Sequence, residues 1–294
     1  MAAFLQVLPP ACLVPVPGVG EMFVRDSGER AESRGTVLLL HGWMFAADLN
    51  WITCFGPLVE AGYRVVAVDH RGHGRGLRTL APFRLQDCAD DAAALLRHLG
   101  ARPALVVGYS MGGAITQLMA RRHRDVVAGI VLSATSLYWS GDRRSRVFWK
   151  AMGLLQLYLR TSSRRVWQRA LKRRGMTMDD EVAVWLVTEL ERGDPAAIAE
   201  AGRELGRFDS RLWASELDLP TAVVCTTRDR LVLPVNQRLI ADTIPGARLF
   251  EVAGDHTAVG MLPHLYVPAL LEAVDDVRGR VAEAAGSPRA EGAA

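Results

Sequence analysis

The stretch Ala104-Leu-Val-Val-Gly-Tyr-Ser-Met-Gly-Gly-Ala114 joins a short apolar run to a segment with helical spacing. Its centre predicts a very tight turn from a strand into a helix, with the Ser110 hydroxyl projecting above a sheet. Such a turn strains the backbone of its serine, and side chains two positions away would collide across it. Gly108 and Gly112 remove that collision. The stretch therefore predicts Ser110 as a nucleophile, the alternative being a plain Ser-Gly connection.

Apolar runs alternate with helical patterns on both sides of this turn. Six runs are continuously apolar, as expected of strands that are covered on both faces: Thr36–Leu40, Arg64–Val68, Ala104–Val107, Gly129–Leu132, Thr221–Cys225 and Arg248–Val252. The helical patterns lie near residues 50–61, 84–99, 112–123, 235–243 and 264–282. This alternation predicts an α/β fold with a mostly parallel sheet and helices on both faces. Residues 13–26 are expected to add an antiparallel hairpin.

The alternation stops between residues 137 and 215. That segment is rich in tryptophan and contains several helical stretches but no convincing strand. We therefore predict a core formed by residues 1–136 and 216–282, with residues 137–215 inserted as a helical cap. Residues 283–294 are rich in alanine, glycine and other small residues, and they predict a disordered tail.

The composition is typical of a soluble globular protein with a sizeable core. Of 294 residues, 50% are apolar and 23% charged, and the net charge of +3 is too small to indicate a nucleic-acid partner. Four widely spaced cysteines suit reduced side chains better than disulfides. No apolar run reaches 18 residues, and prolines interrupt the uncharged first twenty. We therefore expect a cytoplasmic protein with neither a membrane span nor a signal peptide.

Three segments together resemble the α/β-hydrolase superfamily. The turn around Ser110 resembles its nucleophile elbow. Gly35-Thr-Val-Leu-Leu-Leu-His-Gly-Trp43 looks like its third strand and oxyanion loop, and Val68-Asp-His-Arg-Gly-His-Gly74 looks like its strand-four turn. The similarity covers residues 13–280, although the cap matches only in position and character. It implies an eight-stranded, mostly parallel sheet and a serine hydrolase that needs no cofactor.

Acyl transfer needs two backbone N–H groups aimed at the oxygen that becomes negative. The resemblance implies that one comes from Met111, which follows the nucleophile, and the other from the loop after the third strand. Trp43 is the predicted second donor. Two alternatives stay open: Met44 could donate in its place, or Gly42 could serve only to permit a turn.

A serine is unreactive until a base accepts its proton. His256 lies just beyond the last apolar run, which predicts that it reaches the same sheet edge as Ser110. The family order of serine, acid and histidine implies that Asp229 orients this base. Asp142 is the alternative acid, because some relatives supply the carboxylate from the preceding loop.

The remaining charged patterns concern metals and surfaces. His70 and His73 have no clustered carboxylate or cysteine partners, so we expect no metal site. Between Gly141 and Arg174 there are eleven arginines or lysines and a single acid, and apolar residues recur there at helical spacing. This pattern predicts a cap that covers an apolar acyl pocket, and it leaves open peripheral contact with an anionic membrane surface.

Together these features predict hydrolysis of a small carboxylic ester, of lipophilic character, through an acyl-enzyme intermediate. The same three side chains could instead serve carbon–carbon bond hydrolysis, perhydrolysis or acyl transfer, which product analysis would distinguish. Two alternatives from other functional classes stay open. A ligand receptor that has kept the three side chains would bind its ligand tightly with very slow turnover. A lipid-surface interaction protein would bind vesicles through its cap without needing Ser110.

Overall fold

A computed structural model of the protein describes residues 8–29, 31–161 and 181–286. The strands are β1 Ala11–Val16, β2 Gly20–Asp26, β3 Thr36–Leu40, β4 Arg64–Val68, β5 Ala104–Tyr109, β6 Val127–Ser133, β7 Thr221–Thr226 and β8 Arg248–Val252. They form a single eight-stranded sheet in the order β1-β2-β4-β3-β5-β6-β7-β8. The pairs β1–β2 and β2–β4 are antiparallel and the other five pairs are parallel, so the predicted hairpin and mostly parallel sheet are confirmed.

Ten α-helices lie within the described residues. They are α1 Ala47–Trp51, α2 Phe55–Glu60, α3 Leu85–His98, α4 Met111–Arg122, α5 Arg143–Thr161, α6 Glu181–Glu191, α7 Pro195–Leu205, α8 Pro234–Thr243, α9 Ala258–Met261 and α10 Pro263–Gly286. The prediction of one helix near residues 50–61 was wrong, because α1 and α2 are separate. Pro57 has no N–H to donate to the carbonyl of Thr53, so one hydrogen bond of a continuous helix would be missing at the start of α2.

Alternate residues of each central strand enter two separate cores. In β3, Leu38 and Leu40 pack into one core, whereas Val37 and Leu39 pack into the other. Helices α3, α4 and α8 cover the first face of the sheet, and α1, α2 and α10 cover the second. Burial on both faces explains why the central strands are continuously apolar, and it confirms the predicted placement of helices on both sides. The prediction of burial on both faces was wrong for β8, an edge strand whose residues are mostly exposed.

The described part of residues 137–215 adds no strand to the sheet. Its helix α5 packs along α7, and an isolated bridge joins Tyr138 to Asp209 near the two ends of the segment. This arrangement supports our proposal of a helical cap on a hydrolase core, although residues 162–180 lie outside the described part of the chain. The helix α10 continues to Gly286, so the prediction of a disordered tail was wrong for residues 283–286. Alanine and glutamate at 282–285 favour the helix, and 287–294 are not among the described residues.

No described helix combines the length and the apolar character that crossing a bilayer requires.

Three buried histidine rings meet where the β3 and β4 loops pack together. The ring centroid of His41 lies 4.3 Å from that of His70 and 5.4 Å from that of His73. The His70 backbone N–H donates to His41 Nε2, and His41 Nδ1 lies 2.8 Å from the Gly42 carbonyl oxygen, so His41 carries its proton on Nδ1. Burial lowers the pKa of His70 to about 3, that of His73 to about 4, and that of His41 well below its usual range. The cluster is therefore neutral.

This cluster predicts that the protein loses stability in mild acid. Below the ordinary histidine pKa of about 6.5, these histidines are protonated in the unfolded chain but stay neutral in the folded chain. The stability that is present above that pH is therefore lost as pH falls. His73 Nε2 has no hydrogen-bond partner among the described residues, which makes His73→Phe a suitable change. We expect the fall in unfolding free energy between pH 6 and pH 5 to become shallower by about 1 kcal/mol per pH unit.

Urea unfolding at several pH values measures this slope. His98→Phe, at an exposed position on α3, is the control and should leave the slope as it is. A slope unchanged by His73→Phe would contradict the prediction.

Candidate active site

Ser110 lies at the junction of β5 and α4 in a left-handed conformation, with φ +54° and ψ −115°. Its backbone N–H donates to the Ser133 carbonyl at 2.9 Å, and the Thr135 hydroxyl donates to the Ser110 carbonyl at 2.7 Å. A Cβ at Gly108 would lie 2.2 Å from a side-chain oxygen, and one at Gly112 would lie 2.1 Å from a backbone carbonyl oxygen. The strained turn therefore requires glycine at both positions.

Three side chains from distant parts of the chain form a continuous hydrogen-bonded series at the carboxyl edge of the sheet. His256 Nε2 lies 3.1 Å from Ser110 Oγ, and His256 Nδ1 lies 2.7 Å from Asp229 Oδ2. Asp229 follows β7 and His256 follows β8, so both loops emerge at the edge where Ser110 lies. In this geometry the imidazole can take the serine proton while the carboxylate holds its tautomer.

The Asp229 carboxylate is buried but well supplied with donors. Its Oδ1 accepts the backbone N–H groups of Leu231 and Val232 at 2.8 and 3.0 Å, and its Oδ2 accepts the Thr226 hydroxyl at 2.9 Å. Burial alone would raise the pKa of Asp229, but the hydrogen bond to His256 and the two amides outweigh it. The pKa of Asp229 therefore lies below its ordinary value, and the carboxylate stays ionised at neutral pH.

Asp142, the alternative acid, has a different role in the structure. Its side chain is exposed and its Oδ1 accepts the backbone N–H of Ser145 at 2.8 Å, at the start of α5. It is not hydrogen-bonded to His256, whose Nδ1 faces Asp229. The structure therefore pairs the histidine with Asp229.

Met111 and Trp43 both lie next to Ser110. Met111 follows Ser110 directly as the first residue of α4, and Trp43 follows Gly42, where a Cβ would lie 3.3 Å from the Ser110 Cβ. Met44 adopts a positive φ of 70° immediately after Trp43. Neither the Met111 nor the Trp43 backbone N–H donates to another described residue. Both groups are thus available to a ligand oxygen beside Ser110.

Asn50 helps to hold the loop that carries Trp43. Its Oδ1 accepts the Gly42 N–H at 3.0 Å, while His41 Nδ1 binds the Gly42 carbonyl from the other side. No sequence pattern distinguishes Asn50, because it lies inside an ordinary helical stretch. Its role depends entirely on α1 packing beneath this loop.

Tyr109 is a second residue that sequence reasoning missed. Its hydroxyl donates to the His256 backbone carbonyl at 2.7 Å, and the two ring centroids are 5.4 Å apart. Tyr109 is buried, so this bond ties the histidine loop to the strand that carries the serine. The only available signal was its place beside Ser110, which does not reveal a partner 147 residues further along the chain.

A cavity of about 860 Å³ opens beside Ser110 and His256. Its walls are mostly aromatic and aliphatic side chains, namely Trp43, Phe45, Tyr109, Tyr138, Trp139, Phe148, Trp149, Leu205, Leu231, Val232 and Leu233. The charged lining residues Asp142, Arg144 and Arg230 are exposed. This volume lies in the usual range of small-molecule sites. Within the described residues, no group of three or more histidine, cysteine or acidic side chains could hold a metal ion.

Comparison with known proteins agrees with this fold. The family model described as the α/β hydrolase fold matches residues 35–259. The chain therefore belongs to the α/β-hydrolase family.

Several relatives have named activities. A non-heme haloperoxidase of Rhodococcus erythropolis is 38% identical over 113 residues, which are 38% of this chain and 39% of that protein. A bifunctional esterase/perhydrolase of Acinetobacter calcoaceticus is 35% identical over 113 residues, 38% of this chain and 40% of that protein. The match thus spans about two fifths of the length of these two relatives.

Other similarities extend over more of the chain. A pimeloyl-[acyl-carrier protein] methyl ester esterase of Neisseria meningitidis is 27% identical over 218 residues, 72% of this chain and 68% of that protein. The crystal structure of an enol-lactonase from Burkholderia xenovorans superposes with a TM-score of 0.74 and 22% identity, covering 90% of this chain and 100% of that one. The structural match shows the shared fold.

The Tyr109 bond can be tested with a matched pair of variants. Tyr109→Phe removes the hydroxyl that holds the His256 carbonyl, so we expect ester turnover to fall about three- to tenfold, corresponding to loss of one hydrogen bond of about 1 kcal/mol. The KM should change little, because the cavity keeps its aromatic wall. Steady-state kinetics with a p-nitrophenyl ester measures both constants.

Tyr63→Phe is the control, since its hydroxyl donates to Asp275 rather than to an active-site group. It should lose comparable stability without losing turnover. Equal losses of turnover in the two variants would show that the effect is not specific to His256.

Proposed function

We propose that the protein hydrolyses a carboxylic ester through an acyl-enzyme intermediate, with Ser110 as nucleophile, His256 as base and Asp229 as the acid that orients it. The observation that carries this proposal is the Asp229–His256–Ser110 series, at 2.7 and 3.1 Å, beside an apolar cavity. Relatives that include named esterases support an ester as the bond that is cleaved.

In the proposed first step, Ser110 Oγ bonds to the ester carbonyl carbon while His256 Nε2 takes the hydroxyl proton. The carbonyl electron pair moves onto its oxygen, which accepts hydrogen bonds from the Met111 and Trp43 backbone N–H groups. Donors of this kind typically lower the barrier by about 3–4 kcal/mol each. Collapse of this intermediate breaks the bond to the alcohol, which leaves with the proton from His256.

In the second step, His256 removes a proton from water, and the resulting hydroxide attacks the acyl-enzyme carbonyl. Collapse then releases the carboxylic acid and returns the proton to Ser110. Peroxide or an alcohol could replace water at this point, so perhydrolysis and acyl transfer would use the same residues. The bifunctional relative named as an esterase/perhydrolase favours including peroxide in the first assays.

We propose a lipophilic small molecule as the substrate. The aromatic and aliphatic cavity walls can bury an alkyl or aryl acyl group, and the charged lining residues lie exposed. Contact of the cap with an anionic lipid surface and a cytoplasmic location both stay predictions. The first depends in part on basic residues within 162–180, outside the described residues.

The nucleophile is tested by labelling with a fluorophosphonate, which forms a covalent bond to an activated serine. We expect Ser110→Ala to abolish labelling and to lower kcat by about 10⁴-fold or more, because the acyl-enzyme can no longer form. Ser136→Ala is the matched control, since Ser136 is buried and lines the same cavity but donates to the Tyr138 carbonyl. Labelling that persists in Ser110→Ala would remove Ser110 from its role.

The acyl preference is tested with p-nitrophenyl esters from acetate to octanoate. Each CH₂ that enters the cavity contributes up to about 0.8 kcal/mol, so kcat/KM should rise by about two- to fourfold per CH₂ until the cavity is filled. The same assays with methanol or hydrogen peroxide measure how the acyl-enzyme partitions between nucleophiles. A kcat/KM that is constant or falls with chain length would contradict a lipophilic acyl site.

A further inference from the structure

The side chain of Trp43 leaves the active-site loop and enters the cap. Its indole Nε1–H donates to the Ile198 carbonyl on α7 at 2.7 Å. Its ring packs edge-on against Trp149 of α5, with centroids 5.4 Å apart, and against Phe148 at 6.3 Å. A Cβ at Gly202 of α7 would lie only 2.8 Å from the indole ring. The indole is thus held closely between two cap helices.

The backbone of Trp43 is also constrained, by the residues that precede and follow it in the active-site loop. Gly42, the preceding residue, donates its N–H to Asn50 and lies against the Ser110 Cβ. Met44, the following residue, adopts a positive φ of 70°, which is unfavourable for a side chain of its size. Such a conformation persists only where surrounding contacts impose it. The indole contacts with α5 and α7 are made by the residue that directly precedes Met44.

We propose that Trp43 is a positioning residue whose indole transmits the position of cap helices α5 and α7 to its own backbone N–H. This inference rests on the proposed function, in which that N–H binds the developing oxyanion. A donor must lie about 2.7–3.1 Å from the oxyanion, so a small displacement of the loop weakens the bond in the transition state. The cap therefore controls catalytic rate as well as access to Ser110.

The same contacts connect the cavity walls to Trp43, whose backbone N–H is the proposed oxyanion donor. Phe148 and Trp149 line the cavity and also touch the Trp43 ring. An acyl group that fills the cavity presses on these two rings, and through them it secures Trp43. Binding energy from the acyl chain is then expressed in kcat rather than only in KM, which is the pattern expected when remote contacts organise the transition state.

Two glycines of the cap, neither of which lines the cavity, provide a matched test. Gly202→Ala adds a methyl group 2.8 Å from the indole, so the indole and helix α7 can no longer keep their present contact. Gly153→Ala, on the facing helix α5, adds the same group where the nearest atom is Cδ of the Arg203 side chain at 3.4 Å. Both changes replace a helical glycine with alanine, so their effects on helix stability should be similar.

We expect Gly202→Ala to lower kcat for p-nitrophenyl hexanoate about tenfold with KM within twofold of the wild type, and Gly153→Ala to leave both constants within twofold. Trp43→Phe keeps an aromatic ring but loses the bond to Ile198, and it should lower kcat in the same way. Its pH profile should keep the wild-type shape, because the bond between Ser110 and His256 is not altered. Thermal unfolding by circular dichroism confirms that each variant is folded.

Two results would overturn the inference. One is an unchanged kcat in both Gly202→Ala and Trp43→Phe. The other is a raised KM with normal kcat, which would mean that Trp43 only shapes the cavity. If Gly202→Ala does not fold, Trp43→Phe decides alone. If the wild-type protein shows no ester hydrolysis that depends on Ser110, the proposed function itself is wrong. If the wild-type protein does hydrolyse esters through Ser110 but kcat is unaffected in the variants, only the proposed role of Trp43 is wrong.

Discussion

The site depends on the strained backbone of Ser110 between β5 and α4. Its left-handed conformation aims the hydroxyl away from the sheet, and it survives because backbone and side-chain partners on the β6 side hold it. The turn can be this tight only where Gly108 and Gly112 permit close approach of neighbouring atoms. With the strands parallel, the loops after β7 and β8 open at the same edge. The turn and the sheet together bring His256 to the serine.

Burial has opposite consequences for two groups of ionisable residues in this region. The His41, His70 and His73 rings are buried with few donors or acceptors, so burial lowers each pKa and the rings stay neutral as packing elements. Asp229 is also buried, but amides and His256 stabilise its charge. A fixed negative charge beside His256 is what the proposed base requires, since it stabilises the imidazolium as it forms. The supply of hydrogen-bond donors decides which buried group keeps a charge.

The family shares its sheet and its nucleophile turn, but these do not specify a substrate. In this protein the cavity walls come largely from the cap and from the loops next to it, including Phe148 and Trp149 of α5. Trp43 belongs to the active-site loop by its backbone and to the cap by its side chain. Because the interior is closely packed, the cap cannot shift without affecting that loop. Substrate selectivity and catalytic rate are therefore linked through Trp43.

The sequence alone determined the features that depend on local chemistry. Strands β3, β4 and β8 begin and end where their apolar runs predicted, and the glycines around Ser110 were recognisable because steric limits act between near neighbours. The break between α1 and α2 was missed because periodicity is a weak signal in such short helices. Only the tertiary structure shows that His256 is hydrogen-bonded to Asp229 and not to Asp142. It also reveals the bonds from Tyr109 to His256 and from Trp43 to Ile198. Those bonds join residues 147 and 155 positions apart, and such pairs meet only after sheet and cap have packed.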